Sequence, residues 1–230
     1  SPAFEWAART DVEERFTTRR AEMIQRLKKP AEKDDEHPLQ SRVIDAMSSL
    51  PMELFCPPPA CERYGYKDTV VPVGHDNESI STPNMTAMYL SYLNVQPGQR
   101  ILEIKSASGY QSVLMAKLGA EVYTVETDIQ LFSAIRQTVH HLGIENLHMK
   151  LDWDGYRGWP EEGPFDAIVA TAAYPSLPQE LVDQLKPGGR LLAPVGVGSE
   201  QYLTLYTKQD DGSMREERLL EVRYGMIPKP

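Results

Sequence analysis

The sequence has few cysteines, few basic residues and no long apolar run, and each shortage excludes a class of protein. Its 230 residues include 2 cysteines, and 24 lysines and arginines stand against 33 aspartates and glutamates. Non-specific nucleic-acid binding depends on basic surface, so an acidic chain is a poor candidate for it. No apolar stretch is long enough to span a bilayer, and no secretory apolar segment opens the sequence. We expect no nucleic-acid partner, no membrane partner and a cytoplasmic location.

The two cysteines give little sign of a metal site. Cys56 and Cys61 enclose three prolines and an alanine, which is a poor match to zinc-ligand spacing, and there is no second pair. His140 and His141 fall late in a predicted helix, where they suit its negative end and join no acidic or cysteine cluster. We therefore expect no metal, and two free thiols in a reducing cytoplasm.

The composition, with 41% hydrophobic and 25% charged residues, fits one globular domain over residues 1–230. Residues 1–97 would hold N-terminal helices and a substrate-side loop, residues 98–200 a cofactor-binding core, and residues 201–230 a hairpin. Apolar spacing predicts helices over residues 11–27 and 41–49, with a charged linker over residues 28–37 between them. A proline-rich loop is expected at residues 57–59.

A strand, a turn and a helix follow one another between residues 100 and 118. The strand is apolar at Ile101, Leu102 and Ile104, the turn spans the small residues 106–109, and helical spacing begins at Tyr110. Such a unit offers the free N–H groups of a helix N-terminus to an anionic or polar ligand. The same turn also occurs as a plain connection between a strand and a helix, so the motif alone is weak evidence for a ligand site.

The next two strands end in acidic residues that suit a nucleoside. Residues 122–125 read as a buried strand ending at Glu126, whose carboxylate is well placed to accept hydrogen bonds from two ribose hydroxyls. The alternative is a solvated glutamate at a strand end. Asp154 and Gly155 form a turn after the strand predicted at residues 147–151. The Asp154 carboxylate would accept from an adenine amino group or cap the turn.

Strands and helices alternate to the end of the chain, where a hairpin closes the pattern. Further strands are expected at residues 165–171, 190–195, 202–208 and 217–224, with a helix at residues 178–185. An earlier helix is expected to start at residues 79–83. The order predicts an α/β fold of three layers with a mainly parallel sheet, a C-terminal antiparallel hairpin and an N-terminal helical extension. The ligand should lie outside the carboxyl ends of the strands.

Two segments, residues 102–111 and 122–126, resemble those of S-adenosylmethionine-dependent methyltransferases of Rossmann-like fold. More narrowly, the chain resembles the protein-L-isoaspartate O-methyltransferase family. The supporting segments occur in family order from about Val43 to the C-terminus: residues 43–47, 50–51, 72–74, 80–83, 154–160, 165–168, 171–173, 185–191, 194–196 and 222–224.

The resemblance implies a repair reaction. The family transfers a methyl group from S-adenosylmethionine to the free carboxylate of an isoaspartyl residue in a protein or peptide, and the ester then collapses to a succinimide that reopens to aspartate. It implies that Ser81, with Ser79 and Thr171, orients the substrate carboxylate; Ser81 alone also suits a helix cap. It assigns a larger set to the cofactor: Glu103, Lys105, Ser106, Ala107, Ser108, Gly109, Glu126, Asp154 and Gly155.

Two loops depart from the family pattern. Lys105 and Ala107 stand where the family has glycines, and the lysine would pair with the cofactor's methionine carboxylate, fill the pocket or repel the sulfonium. The loop over residues 74–81 is one residue longer and gains two acids, which would repel an anionic substrate. Three functions follow as hypotheses: isoaspartyl repair, methyl transfer to a changed substrate, and a non-enzymatic relative that has lost the cofactor.

Overall fold

A computed structural model describes residues 14–29, 39–74 and 78–230. The helices are α1 Glu14–Lys28, α2 Ser41–Ser49, α3 Pro58–Tyr64, α4 Pro83–Leu93, α5 Tyr110–Lys117, α6 Ile129–His141 and α7 Gln179–Val182. The strands are β1 Val71–Pro72, β2 Ser79–Ile80, β3 Arg100–Ile104, β4 Glu121–Glu126, β5 Leu147–Leu151, β6 Phe165–Ala170, β7 Leu185–Val197, β8 Glu200–Lys208 and β9 Met214–Val222. Within these described ranges no helix is both long and apolar enough to cross a membrane.

Seven strands form one sheet in the order β5-β4-β3-β6-β7-β8-β9. Strands β3 to β7 run parallel to one another, whereas β8 pairs antiparallel with β7 and with β9. The chain moves outward from β3 through β4 to β5, then returns to the other side of β3 with β6. This reversal leaves a crevice at the carboxyl ends of the strands, where ligands of such sheets bind. The predicted sheet with its C-terminal hairpin is confirmed.

Apolar residues cover both faces of the sheet. Alternate strand residues point to opposite faces, so Ile101 packs with the helices α1, α2, α4, α5 and α6 while Leu102 and Ile104 pack with α7 on the other side. The N-terminal helix contributes the buried residues Phe16, Met23, Ile24 and Leu27 to the first face. Its predicted start at residues 11–13 and most of the predicted linker lie outside the described residues.

The predictions for the proline-rich segment and for the thiols were wrong. The prolines open α3, because proline has a φ suited to the first turn of a helix and its missing N–H is not needed there. The first turn of α3 brings Cys61 next to Cys56. Their Cα atoms are 5.7 Å apart, and their sulfurs are joined in a disulfide.

The segment before α4 forms a strand end rather than a helix start. Ser79 and Ile80 pair with Pro72 and Val71, and the helix begins only at Pro83. The hydroxyl of Thr82, and not that of Ser81, caps the helix by accepting from the N–H of Met85 at 3.2 Å. Ser81 is therefore left facing the crevice.

The C-terminal strands are displaced from their predicted positions. Strand β7 starts at Leu185 instead of residue 190 and runs through Pro187, Gly188 and Gly189, where we expected a turn, and α7 is correspondingly shorter than predicted. Strand β9 ends at Val222 instead of Tyr224. The residues after β9 leave that strand, pair with Ala173 beyond the end of β6 and line the crevice.

Candidate active site

A cavity of about 1200 Å³ lies at the carboxyl ends of the parallel strands. The turn after β3 lines it on one side with Lys105 and Ala107, and Thr171 lines it from the end of β6. Ser79 and Ser81 line it from the segment before α4, and the residues after β9 cover it. Elements far apart in the sequence therefore meet at the edge predicted to hold a ligand.

The β3 turn, residues 105–109, is built on left-handed backbone. Lys105, Ala107 and Gly109 have φ values of 72°, 51° and 86°. At Gly109 a Cβ would lie 2.9 Å from the Cγ2 of Ile135, so glycine suits both the conformation and the space. Lys105 and Ala107 adopt the same region with a side chain, which costs roughly 1–2 kcal/mol for each residue.

The carboxylate of Glu126, at the end of β4, connects the β3 turn to the β4 turn, residues 127–128. Its Oε1 accepts from the N–H of Ala107 at 3.0 Å, and its Oε2 accepts from the N–H of Asp128 at 2.7 Å. The side chain is buried. Burial raises the pKa of Glu126, and the ammonium of Lys105 opposes that change.

The ammonium of Lys105 lies among three oxygen acceptors. Its Nζ is 2.9 Å from Oε2 of Glu126, 2.8 Å from Oε1 of Glu78 and 3.1 Å from Oγ1 of Thr127. Burial lowers the pKa of Lys105, but the carboxylates of Glu126 and Glu78 outweigh burial and leave it above its ordinary value. Glu78, one of the two acids predicted to repel a substrate, is thus paired; Asp76 lies outside the described residues.

Behind the turn, buried polar side chains form a chain that does not reach the cavity. Glu103 accepts from the hydroxyls of Ser112 and Thr124, the latter at 2.7 Å, and from the amide of Gln111 at 3.2 Å. The hydroxyl of Thr124 also meets that of Ser106. Burial raises the pKa of Glu103 to about 7. Glu103 and Ser106 therefore support the β3 turn from inside the sheet.

Ser108 has a local role in the same turn. Its hydroxyl accepts from the N–H of Tyr110 at 3.2 Å, where α5 begins. Its side chain is buried, and it does not line the cavity.

One part of the cavity wall, here called the hydroxyl end, carries Ser79, Ser81, Thr171 and Tyr224. Ser81 and Tyr89 lie in hydrogen-bonding reach of the Tyr224 hydroxyl, and burial raises the pKa of that tyrosine. The hydroxyl of Thr171 donates to the carbonyl of Lys105 at 2.8 Å, which ties this end to the β3 turn.

Asp154 and Gly155 lie apart from these groups. The Asp154 carboxylate accepts from the N–H of Tyr156 at 2.8 Å and lines a second cavity of about 780 Å³. Gly155 lies under the C-terminal segment, where an added Cβ would be 2.3 Å from the Cγ2 of Ile227. The turn-capping alternative for Asp154 matches this geometry, and a contact with adenine stays a prediction.

Five of the predicted site residues therefore share the main cavity wall: Ser79, Ser81, Lys105, Ala107 and Thr171. Sequence reasoning missed two apolar residues on the same wall, Ile129 and Trp153, which are 56% and 70% exposed. Each follows the carboxyl end of a strand, and a large apolar side chain in such a polar turn is the signal that identifies them. In the described ranges, no group of three or more metal-binding side chains is close enough to hold an ion.

Comparison with known proteins gives one consistent family. A family model described as protein-L-isoaspartate(D-aspartate) O-methyltransferase matches residues 19–229. The chain is 41% identical over 183 residues to a protein-L-isoaspartate O-methyltransferase of Gloeobacter violaceus, covering 79% of this chain and 87% of that one. It is 41% identical over 206 residues to one of Xanthomonas axonopodis pv. citri, covering 89% and 87%.

Solved structures agree. One protein-L-isoaspartate O-methyltransferase superposes with a TM-score of 0.79 at 27% identity, covering 90% of this chain and 65% of that one. A putative member from Plasmodium falciparum, solved in complex with S-adenosyl-L-homocysteine, superposes with a TM-score of 0.74 at 26% identity, covering 94% and 99%. On these matches and the fold, the chain belongs to the protein-L-isoaspartate O-methyltransferase family.

Proposed function

We propose that this chain is a carboxyl O-methyltransferase that acts on isoaspartyl residues of proteins or peptides, with S-adenosylmethionine as the methyl donor. The observation that carries the proposal is that Ser79, Ser81 and Thr171 line the same cavity as the β3 turn, which donates an N–H to Glu126. The matching family model and the two bacterial relatives carry this activity in their names.

The hydroxyl end of the cavity is assigned to the substrate carboxylate. A carboxyl group with an ordinary pKa of about 4 is ionised at neutral pH, so its oxygen is a nucleophile without a general base. In this proposal the hydroxyls of Ser81 and Ser79, which line the cavity, donate to the substrate carboxylate and orient it. Arg223, exposed on the same wall, adds a positive charge that attracts an anionic substrate.

The part of the cavity lined by Lys105, Thr127, Ile129 and Trp153, here called the nucleoside end, fits a cofactor only in part. Ile129 and Trp153 offer exposed apolar surface of the kind on which a purine packs. The ribose acceptor, however, is engaged: Glu126 already accepts from two backbone N–H groups and from the Lys105 ammonium. In this arrangement the residues do not fit the ribose.

That occupied acceptor favours a second candidate, a member of the family that keeps the fold and has lost methyl transfer. The two candidates are separated by one assay. Purified protein is incubated with S-adenosylmethionine and a peptide containing isoaspartate, with the same peptide containing aspartate as the control. Release of S-adenosylhomocysteine with the isoaspartyl peptide alone supports repair. No release with either peptide, from a folded protein, supports the second candidate.

The cytoplasmic location stays a prediction, and the disulfide between Cys56 and Cys61 bears on it. Disulfides are rare in a reducing cytoplasm. Trapping the thiols with an alkylating reagent at the moment of lysis, followed by mass spectrometry, tests the location. Two alkylated cysteines fit the cytoplasm, whereas an intact bond contradicts it.

A further inference from the structure

The ammonium of Lys105 uses all of its hydrogen-bonding capacity inside the chain. It has three N–H donors and three acceptors, on Glu126, Glu78 and Thr127, all within 3.1 Å. Its side chain is 7% exposed. In this arrangement the ammonium therefore has no unused donor for a ligand.

Glu126 is nearly saturated by the same arrangement. A carboxylate has about four acceptor positions. Two are used by the N–H groups of Ala107 and Asp128, and a third by the Lys105 ammonium. A ribose needs two positions for its two hydroxyls, so one of the existing donors has to leave. The backbone N–H groups are fixed by their turns, whereas Lys105 has a flexible stem.

Glu78 provides a second carboxylate partner for the Lys105 ammonium. It is bound to Lys105 independently of Glu126 and comes directly before Ser79, at the hydroxyl end of the cavity. If the ammonium leaves Glu126, its bonds to Glu78 and Thr127 keep the charge paired. An unpaired buried charge would otherwise be strongly unfavourable.

We propose that Lys105 is an internal competitor of the cofactor's ribose for Glu126, so that a nucleoside binds this cavity only by displacing the ammonium towards Glu78. The inference rests on the proposed function, because it places the nucleoside at the same cavity. In this proposal Lys105 sets the affinity of the cavity for S-adenosyl nucleosides. It also connects the nucleoside end to the segment that carries Ser79 and Ser81.

Two ligands separate this role from the alternatives. S-adenosylhomocysteine has the ribose and the methionine-type carboxylate, whereas adenosine has the ribose alone. A lysine that competes with the ribose weakens the binding of both. A lysine that pairs with the ligand carboxylate strengthens the binding of S-adenosylhomocysteine and leaves adenosine unaffected. Because neither ligand carries a sulfonium, repulsion between the lysine and a sulfonium does not enter.

The experiment is calorimetric titration of both ligands into the wild type and three variants. Lys105→Met removes the charge and keeps most of the stem, and Lys105→Gly removes both and suits the φ of 72°. Lys117→Met, at an exposed lysine of α5, is the matched control. Thermal unfolding of each protein verifies that it is folded, and the two substitutions at Lys105 give two chances of a folded variant.

We expect both substitutions at Lys105 to tighten S-adenosylhomocysteine and adenosine at least tenfold, with Lys117→Met equal to the wild type. Unchanged affinity, or no binding by any folded variant, overturns the inference. Weaker binding of S-adenosylhomocysteine with unchanged adenosine overturns it in favour of carboxylate pairing. The repair proposal fails separately: tighter binding by Lys105→Gly, without methylation of the isoaspartyl peptide at saturating S-adenosylmethionine by either protein, leaves the inference standing and removes repair.

Discussion

The two turns that meet at Glu126 reach it in different ways. The β4 turn uses ordinary backbone: Asp128 donates its N–H to Glu126, and its own carboxylate caps α6 by accepting from Gln130 and Leu131 at 2.8 and 3.1 Å. The β3 turn donates the N–H of Ala107 from left-handed backbone that ordinary side chains avoid. Each turn gives one N–H to the same carboxylate.

The difference lies in what else each turn adds. The β4 turn gives this one N–H, whereas the β3 turn also brings the Lys105 ammonium to the carboxylate, which is buried. At the proposed nucleoside site, two backbone N–H groups are therefore in place and the acceptor Glu126 is engaged. The comparison shows that backbone donors and acceptor availability are separate properties of the site, which substitutions can alter one at a time.

The largest effect is expected from removing the shared acceptor. Glu126→Ala leaves a buried ammonium with one carboxylate partner fewer and leaves two N–H groups unpaired, which should lower the free energy of unfolding by ~3–5 kcal/mol. Asp128→Ala, which removes the cap of α6, should cost about 1 kcal/mol. Urea unfolding of both variants measures the difference. Equal losses would contradict a special role for Glu126 as the joint between the turns.

A second prediction concerns the support behind the β3 turn. The pKa of Glu103 rises from 4.5 to about 7 in the folded protein because the group is buried. The folded state then binds more protons than the unfolded state between these values, so Glu103 lowers stability progressively as pH rises and most strongly above about pH 7. Its contribution should fall by roughly 2–3 kcal/mol between about pH 5 and pH 8.

Glu103→Gln removes that dependence. Urea unfolding across the pH range should show a decline in stability that is smaller in Glu103→Gln than in the wild type by this amount. Glu200→Gln, at an exposed glutamate that begins β8, is the control and should follow the wild type. Parallel curves for all three proteins would show that Glu103 titrates normally, and the buried network would then need another account.

Much of the scaffold follows from local pattern. Strand β5 has the predicted bounds, β3 and β4 end where expected, and α2 is found at the predicted residues. These elements are short apolar runs or amphipathic stripes ended by turn residues, so local sequence determines them. The organisation into one domain, and the role of the N-terminal helices, stay predictions.

Pairing in three dimensions was harder to predict. The disulfide depends on α3, whose first turn brings Cys61 next to Cys56. The prolines at the start of this helix favour a loop when the sequence is considered alone. Lys105 was expected to meet a ligand carboxylate, fill the pocket or repel the sulfonium, and its partners on β4 and before β2 are visible only once the sheet is assembled. Long-range ion pairs of this kind leave no local signal in a single sequence.

The smallest effect is expected at Ala107. Glycine has no Cβ and adopts the φ of 51° without strain, so Ala107→Gly should raise the free energy of unfolding by about 1 kcal/mol, less the entropy that glycine adds to the unfolded chain. Ala116→Gly, in the right-handed backbone of α5, is the same substitution with the opposite expected sign, a loss of about 1 kcal/mol.

The pair isolates the conformation of the β3 turn from the identity of the substitution. Because the N–H of residue 107 is unchanged, Ala107→Gly keeps the bond to Glu126 and leaves Lys105 in place. Its affinity for S-adenosylhomocysteine should therefore stay within about twofold of the wild type, a change well under 1 kcal/mol. Stabilisation without tighter binding would separate backbone strain from the occupied acceptor, whereas a large gain in affinity would place the obstacle in the turn's backbone and not in the ammonium.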